Sequence, residues 1–188
     1  MNRANKLTVS RIFLAFVCIG FIAQDTFPFL VGGLILFIAA SITDFFDGYI
    51  ARHHNMVSDL GKILDPIADK ILIVGVFLAF LQLGVVNAWM VSAIMLREFI
   101  VTSVRLYGLN KGAVLEAQML GKHKTFSQIA GIVAILLILI LSKSLRGNAI
   151  VNLLRFRLIP VIMCYIVFIT LFSGVSYIWA NRKTIKTF

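Results

Sequence analysis

The sequence predicts an all-α, polytopic membrane protein with six transmembrane helices. Hydrophobic residues make up 60% of the 188 residues and charged residues only 14%, a composition too apolar for a soluble domain of this size. Six apolar stretches approach the length of about 20 residues that a helix needs to cross a bilayer. None shows the short alternating pattern of a membrane β-barrel, and open sheet edges are not viable in hydrocarbon. We therefore expect one membrane domain over 1–188.

The six predicted spans follow one another with short connections. They cover approximately 7–23, 29–50, 63–83, 85–106, 125–141 and 158–180. No small-residue cleavage site follows the first stretch, and Arg11 lies inside this stretch rather than before it. We therefore interpret the first span as a retained helix and not as a signal peptide.

Lysine and arginine predict the orientation of the helices. They gather at the N-terminus, in the second and fourth connections and at the C-terminus, as Arg3, Lys6, Arg11, Arg52, Lys62, Lys111, Lys122, Lys124, Arg182, Lys183 and Lys186. Cytoplasmic connections carry an excess of these residues. Both termini are therefore predicted to be cytoplasmic, with the protein in the inner (cytoplasmic) membrane.

One connection opposes this orientation. The segment 142–157 is expected on the outer side, yet it carries Lys143, Arg146, Arg155 and Arg157. A short amphipathic helix over 149–157 at the membrane interface is one interpretation. The net charge of +10 in so apolar a chain indicates attraction to anionic membrane lipids, and we expect no nucleic-acid partner.

Four aspartates lie inside the second and third predicted spans. Their pattern is Asp44-x-x-Asp47-Gly48-x-x-Ala51-Arg52, then eight residues, then Gly61-x-x-x-Asp65-x-x-x-Asp69. Each carboxylate costs about 2.5–3.5 kcal/mol inside a bilayer, so bound cations are expected to compensate. The i, i+3 and i, i+4 spacings put each pair on one helix face. In the predicted topology both faces converge at the cytoplasmic side, where oxygen ligands favour Mg²⁺ or Mn²⁺.

Basic side chains are expected to face these acids. Arg97 and Arg105 descend with the fourth span, and Lys122 and Lys124 stand just before the fifth. Such an arrangement suits a substrate with phosphates for a metal and a second anionic group for Arg or Lys. The arginines can instead extend to the interface, and the lysines can belong to a solvated loop. Glu98 is expected to point away from Arg97 and to pair with Arg105 or another basic residue.

From Asp44 to Asp69 the sequence resembles the CDP-alcohol phosphotransferase family. The family signature D-x-x-D-G-x-x-A-R-x(8)-G-x-x-x-D-x-x-x-D is matched at every fixed position. Weaker similarity extends to three outer motifs, which most resemble the members that use glycerol 3-phosphate. These motifs are Asn5-x-x-Thr8-x-x-Arg11, Arg97-Glu98-Phe99 with Thr102 and Arg105, and Gly121-Lys122-x-Lys124-Thr125.

The resemblance implies transfer of the phosphatidyl group of CDP-diacylglycerol to the hydroxyl of sn-glycerol 3-phosphate, with release of CMP. It implies two Mg²⁺ or Mn²⁺ ions held by Asp44, Asp47 and Asp65, with Asp69 as general base and candidate fourth ligand. The resemblance also implies a nucleotide pocket formed by Asn5, Thr8, Gly48, Ala51, Arg52 and Gly61. It implies an acceptor-phosphate pocket formed by Arg97, Arg105, Lys122 and Lys124.

The resemblance also implies a homodimer, without indicating its interface. Within the family, inositol phosphate, serine and phosphatidylglycerol remain alternative acceptors. From another class, a cation-coupled transporter is the alternative, because intramembrane acids also mark ion pathways. The cytoplasmic position of the aspartates favours catalysis, since transport sites usually lie near the middle of the membrane.

Overall fold

The structure is a computed structural model. It describes the backbone of residues 3–54, 59–110, 119–145 and 149–182, and the side chains of residues 10–43, 70–108, 121, 123–145 and 153–182. Over these ranges the chain forms six helices and no strand, which confirms the all-α prediction. The helices are α1 (Arg3–Ala23), α2 (Phe27–His54), α3 (Asp59–Gln82), α4 (Ala88–Asn110), α5 (Met119–Ser144) and α6 (Ala149–Ala180).

The lengths of the helices suit a membrane. The shortest has 21 residues and the longest 32, or about 31 to 48 Å at 1.5 Å per residue. Two continuous stretches are also apolar enough to cross a bilayer, His123–Ser144 and Leu153–Ala180. The described apolar parts of the first three helices are shorter, at Ser10–Ala23, Phe27–Thr43 and Lys70–Gln82. Membrane character is thus supported, whereas six complete spans remain a prediction.

The helices are apolar on their outer surface as well as in the core. Phe37, Phe77 and Phe80 are fully buried at the centre of one continuous hydrophobic cluster. Phe126 and Phe156, however, are 74% and 76% exposed. Large exposed apolar surface marks contact with a membrane or a partner, and its spread over the helices favours lipid.

α2 and α3 pack against the same two helices. Both pack against α1 and both against α5, while α4 packs between α3 and α6. Glycine permits the close approach of α1 and α2, because a Cβ on Gly33 would lie 2.7 Å from Cγ1 of Ile22. The Cys18 thiol donates to the Gly33 carbonyl across the same contact, at 3.4 Å. Small residues serve this purpose at many membrane helix interfaces.

An ion pair identifies the connections that share one end of the bundle. Lys143, in the last turn of α5, contacts Asp25 in the α1–α2 turn at 2.5 Å. Asp25 has a φ of 50°, the left-handed conformation that Asp tolerates better than most residues. We call this the Asp25 end and the opposite one, where α2 finishes, the His54 end. Asp25 thus neutralises the charge of Lys143, a residue of the basic connection that opposes the predicted orientation.

Some helix ends differ from the predicted ones. The segment 149–157 is not a separate helix, because α6 is continuous over Ala149–Ala180 with Pro160 inside it. Neighbouring groups can compensate the hydrogen bond that proline lacks in a membrane helix. Arg52, Lys62, Lys122 and Lys124 lie on helical backbone rather than in connections. The helices continue beyond their apolar stretches, and hydropathy detects only those stretches.

Candidate functional site

The backbone places the four aspartates at matching positions on two helices. Asp44 lies ten residues before His54 and Asp69 ten after Asp59, while Asp47 and Asp65 are seven and six residues from the same ends. At 1.5 Å per residue, Asp44 and Asp69 are about 15 Å from these helix ends, and Asp47 and Asp65 are about 10 Å from them. Each aspartate of α2 therefore has a counterpart on α3 a similar number of turns from the His54 end.

The side chains of these aspartates lie outside the described residues, so their convergence on a metal stays a prediction. The same holds for the expected nucleotide pocket and for Lys122. The nucleotide residues are carried by α1 (Asn5, Thr8), α2 (Gly48, Ala51, Arg52) and α3 (Gly61). No group of three or more His, Cys, Asp or Glu suited to a metal occurs among the described side chains, a finding that does not extend to the aspartates.

Three basic side chains gather round Glu98, which lies near the middle of α4 and whose own side chain is only 7% exposed. Its Oε2 accepts a hydrogen bond from Lys70 Nζ on α3 at 2.9 Å. Its Oε1 accepts from Arg97 Nη1 at 3.3 Å and from Lys124 Nζ on α5. Lys70 Nζ also donates to the main-chain carbonyl of Glu98 at 3.2 Å. We call Glu98, Lys70, Arg97 and Lys124 the Glu98 cluster, in which one carboxylate joins three helices.

Arg97 extends the Glu98 cluster to α6. Its Nη2 donates to the Ser173 hydroxyl at 2.7 Å. The adjacent Gly174 makes room for the side chain, since a Cβ there would lie 2.8 Å from Cγ and 3.2 Å from Nε of Arg97. The Nε atom is buried and has no hydrogen-bond partner among the described residues. Arg97 therefore retains donor capacity after its contacts with Glu98 and Ser173.

Arg105 lies about two helical turns nearer the His54 end, apart from Glu98. Its guanidinium carbon is 5.8 Å from the ring centre of Tyr177 on α6, a cation–π distance. Tyr177 is buried with Val101, and its hydroxyl has no hydrogen-bond partner within the described part of the chain. Of the expected acceptor residues, the structure thus brings Arg97 and Lys124 together on Glu98. Arg105 instead lies against Tyr177.

The structure corrects one part of the prediction for Glu98 and confirms another. Glu98 is expected to point away from Arg97, but the two neighbours are in contact. The expected pairing with another basic residue is confirmed, since Glu98 contacts Lys70 and Lys124. Successive positions on a helix point about 100° apart, and the long Arg97 side chain spans that angle. Sequence reasoning missed Lys70 entirely. The available signal was a lysine inside an apolar span, directly after Asp69.

The charges of the Glu98 cluster do not cancel. Lys70, Arg97 and Lys124 contribute three positive charges and Glu98 one negative charge, which leaves two positive charges. The side chains of Arg97 and Lys124 are only 9% and 11% exposed. Buried charge without a counter-charge is unfavourable, and a bound anion would relieve it. The arrangement is therefore chemically suited to hold a phosphate.

Comparison with known proteins identifies the family of this chain. Residues 1–172 match the model of the CDP-alcohol phosphatidyltransferase family. Over 198 aligned positions the chain is 37% identical to the CDP-diacylglycerol--glycerol-3-phosphate 3-phosphatidyltransferase of Bacillus subtilis, covering 99% of this chain and 98% of that protein. The protein of the same name from Rickettsia bellii is 36% identical over 184 positions, covering 97% and 96%. A probable phosphatidylglycerophosphate synthase of Mycobacterium tuberculosis is 36% identical over 143 positions, covering 76% and 62%.

The chain belongs to the CDP-alcohol phosphatidyltransferase family, as the aspartate motif indicated. It is an enzyme, a membrane-associated transferase of phospholipid biosynthesis.

Proposed function

We propose that this enzyme transfers the phosphatidyl group of CDP-diacylglycerol to the hydroxyl of sn-glycerol 3-phosphate, giving phosphatidylglycerophosphate and CMP. Relatives that align along nearly the whole chain carry these two substrates in their names. The observation that carries the choice of a phosphorylated acceptor is the Glu98 cluster, and the names of these relatives favour glycerol 3-phosphate over inositol phosphate. The two uncompensated positive charges of the cluster match the charge of a phosphate monoester, about −1.5 to −2 at pH 7, whereas serine offers no such group.

In the proposed reaction Asp69 receives the proton of the acceptor hydroxyl. The hydroxyl oxygen forms a new bond to the phosphorus that carries diacylglycerol, and the bond from this phosphorus to CMP breaks. Arg97 and Lys124 hold the phosphate of the acceptor, with Arg105 and Lys122 as further expected contacts. Binding both substrates in fixed positions provides a large part of the acceleration in such transfers.

The proposed metal site would hold two Mg²⁺ or Mn²⁺ ions. Asp44, Asp47 and Asp65 provide hard oxygen donors, and the paired positions of aspartates on α2 and α3 suit ligands shared between two helices. Bound there, the ions would neutralise the charge that develops on the pyrophosphate. Asn5, Thr8, Gly48, Ala51, Arg52 and Gly61 form the proposed nucleotide pocket.

The proposal includes six complete membrane spans, cytoplasmic termini, a site that opens to the cytoplasm, and a homodimer. The Lys143–Asp25 contact supports the orientation, because it offsets one positive charge of the connection expected on the outer side. The lipid substrate would enter from the bilayer, and glycerol 3-phosphate from the cytoplasm. A site about 10–15 Å inside the helix ends is within reach of both.

A panel of acceptors tests the proposal. Purified protein receives CDP-diacylglycerol, Mg²⁺ and one of glycerol 3-phosphate, inositol phosphate, serine or phosphatidylglycerol, and CMP release is measured. We expect release with glycerol 3-phosphate, and its loss when the metal is chelated. Preference for another acceptor would contradict our assignment within the family. Cation flux across vesicles without CMP release from any mixture would support the transporter instead.

A further inference from the structure

We infer that Glu98 is a positioning residue of the acceptor pocket, whose carboxylate holds Lys70, Arg97 and Lys124 together as a preassembled phosphate-binding group. The inference rests on the proposed function, but it assigns roles to Glu98 and Lys70 that phosphate chemistry alone does not suggest. A carboxylate repels phosphate. Its presence among these cations therefore needs another explanation than direct binding.

The contacts provide that explanation. Glu98 uses both carboxylate oxygens, with Lys70 on one and Lys124 and Arg97 on the other. Lysine and arginine side chains are long and flexible, and fixing them in one place has an entropic cost. Since Glu98 holds three of them through its own contacts, less order has to be gained when the phosphate binds. Preorganisation of this kind strengthens binding.

The cluster keeps donors for a ligand after its own contacts are made. A lysine has three N–H donors and an arginine five. Lys124 uses one of its three on Glu98, and the buried Nε of Arg97 uses none among the described residues. Lys70 is the most accessible member, with a side chain 25% exposed. An incoming phosphate can therefore approach from the Lys70 side.

The position of Lys70 relates this group to the reacting hydroxyl. Lys70 directly follows Asp69, the proposed base, and successive Cα atoms are about 3.8 Å apart. The contact between Lys70 and Glu98 thus fixes the phosphate-binding group to the helix that carries the base. Glycerol 3-phosphate carries its phosphate and its reacting hydroxyl at opposite ends of three carbons, so a phosphate-binding group and a base on the same helix can serve the two ends of one acceptor.

The substitution Glu98→Gln separates positioning from simple electrostatics, because the two predict opposite signs. It raises the charge of the cluster from two to three positive charges. If charge alone mattered, glycerol 3-phosphate would bind more tightly. We expect its KM to rise at least about tenfold, while the KM for CDP-diacylglycerol changes by less than about twofold. A lower KM for glycerol 3-phosphate, or an unchanged one, would overturn the inference.

Three further variants serve as controls. Glu98→Asp keeps the charge but shortens the reach, so partial recovery of the KM is expected. The double variant Glu98→Gln with Lys70→Gln restores a net charge of two, and its KM for glycerol 3-phosphate should stay high. A return to the native KM would show that charge and not position is responsible. Asp25→Asn also removes a carboxylate from a lysine, but at the Asp25 end of the bundle, away from the Glu98 cluster, and should leave both KM values unchanged.

Lys70→Gln keeps the inference testable if Glu98→Gln does not fold. Lys70 is partly exposed, so its replacement is expected to leave a stable protein, with a KM for glycerol 3-phosphate raised several-fold. An unchanged KM would contradict the role of Lys70 in the group. Failure of the proposed function looks different, because native protein would then release no CMP in response to glycerol 3-phosphate.

Discussion

Arg97 on α4 occupies the space that the missing side chain of Gly174 leaves on α6. This close contact joins α4 and α6 beside the Glu98 cluster, and we expect one added methyl group at Gly174 to disturb it.

Gly174→Ala should therefore raise the KM for glycerol 3-phosphate several-fold. The new methyl would lie 2.8 Å from Cγ of Arg97, so the buried side chain must move. The forced shift of a buried side chain costs about 1–3 kcal/mol, whereas alanine gains at most about 1 kcal/mol in helix propensity over glycine, so a modest loss of thermal stability should accompany the rise in KM. Gly20→Ala is the matched control, because nothing lies within 4 Å of its Cβ position. Equal effects of the two substitutions would disprove this role of Gly174.

Arg105→Ala should raise the KM for glycerol 3-phosphate far more than that for CDP-diacylglycerol. A charge-assisted contact is worth about 1.5–3 kcal/mol, or roughly ten- to a hundredfold in affinity. Steady-state kinetics with each substrate varied in turn provide the measurement. Tyr177→Phe is the companion variant, since it keeps the ring beneath Arg105 and removes a hydroxyl that has no partner among the described residues. Similar KM changes for both substrates would make Arg105 structural.

The orientation of the bundle can be tested by cysteine labelling in cells. Gln24→Cys at the Asp25 end should react with an impermeant thiol reagent applied from outside, whereas Arg182→Cys should react only after permeabilisation. Both positions are exposed. The exposed Cys164 is replaced by alanine in the background, and that parent chain serves as the control. The reverse labelling pattern would invert the proposed topology.

Substitution of single aspartates should distinguish the proposed metal ligands from the proposed base. Asp44→Asn removes a proposed metal ligand, so CDP-diacylglycerol binding and turnover should both fall and partly recover in excess Mg²⁺ or Mn²⁺. Asp69→Asn removes the proton acceptor, so metal-dependent lipid binding should persist while turnover drops about 10²–10⁴-fold. If Asp69→Asn abolishes binding as completely as Asp44→Asn, Asp69 is a metal ligand and the separate base role fails.

The helices could be predicted because each depends on a local apolar run, which hydropathy detects directly. Their ends could not, since α2 continues to His54 and α3 starts at Asp59 through polar turns that carry no apolar signal. The aspartate motif could be recognised because its members are close in sequence. The Glu98 cluster could not be predicted from the sequence. Lys70 and Lys124 are 28 and 26 residues from Glu98, and only the packing of α3, α4 and α5 brings them together.

The contact between Lys70 and Glu98 also has a consequence for biogenesis. A lone charge opposes entry of a helix into the bilayer, by about 2.5–3.5 kcal/mol for each ion on insertion scales. Because α3 and α4 are consecutive, the opposite charges of Lys70 and Glu98 can pair as soon as both helices have left the ribosome. We expect the two helices to enter the membrane as one hairpin, with Lys124 joining only after α5 has been synthesised. The order of synthesis would thus determine the order in which the phosphate-binding group is completed.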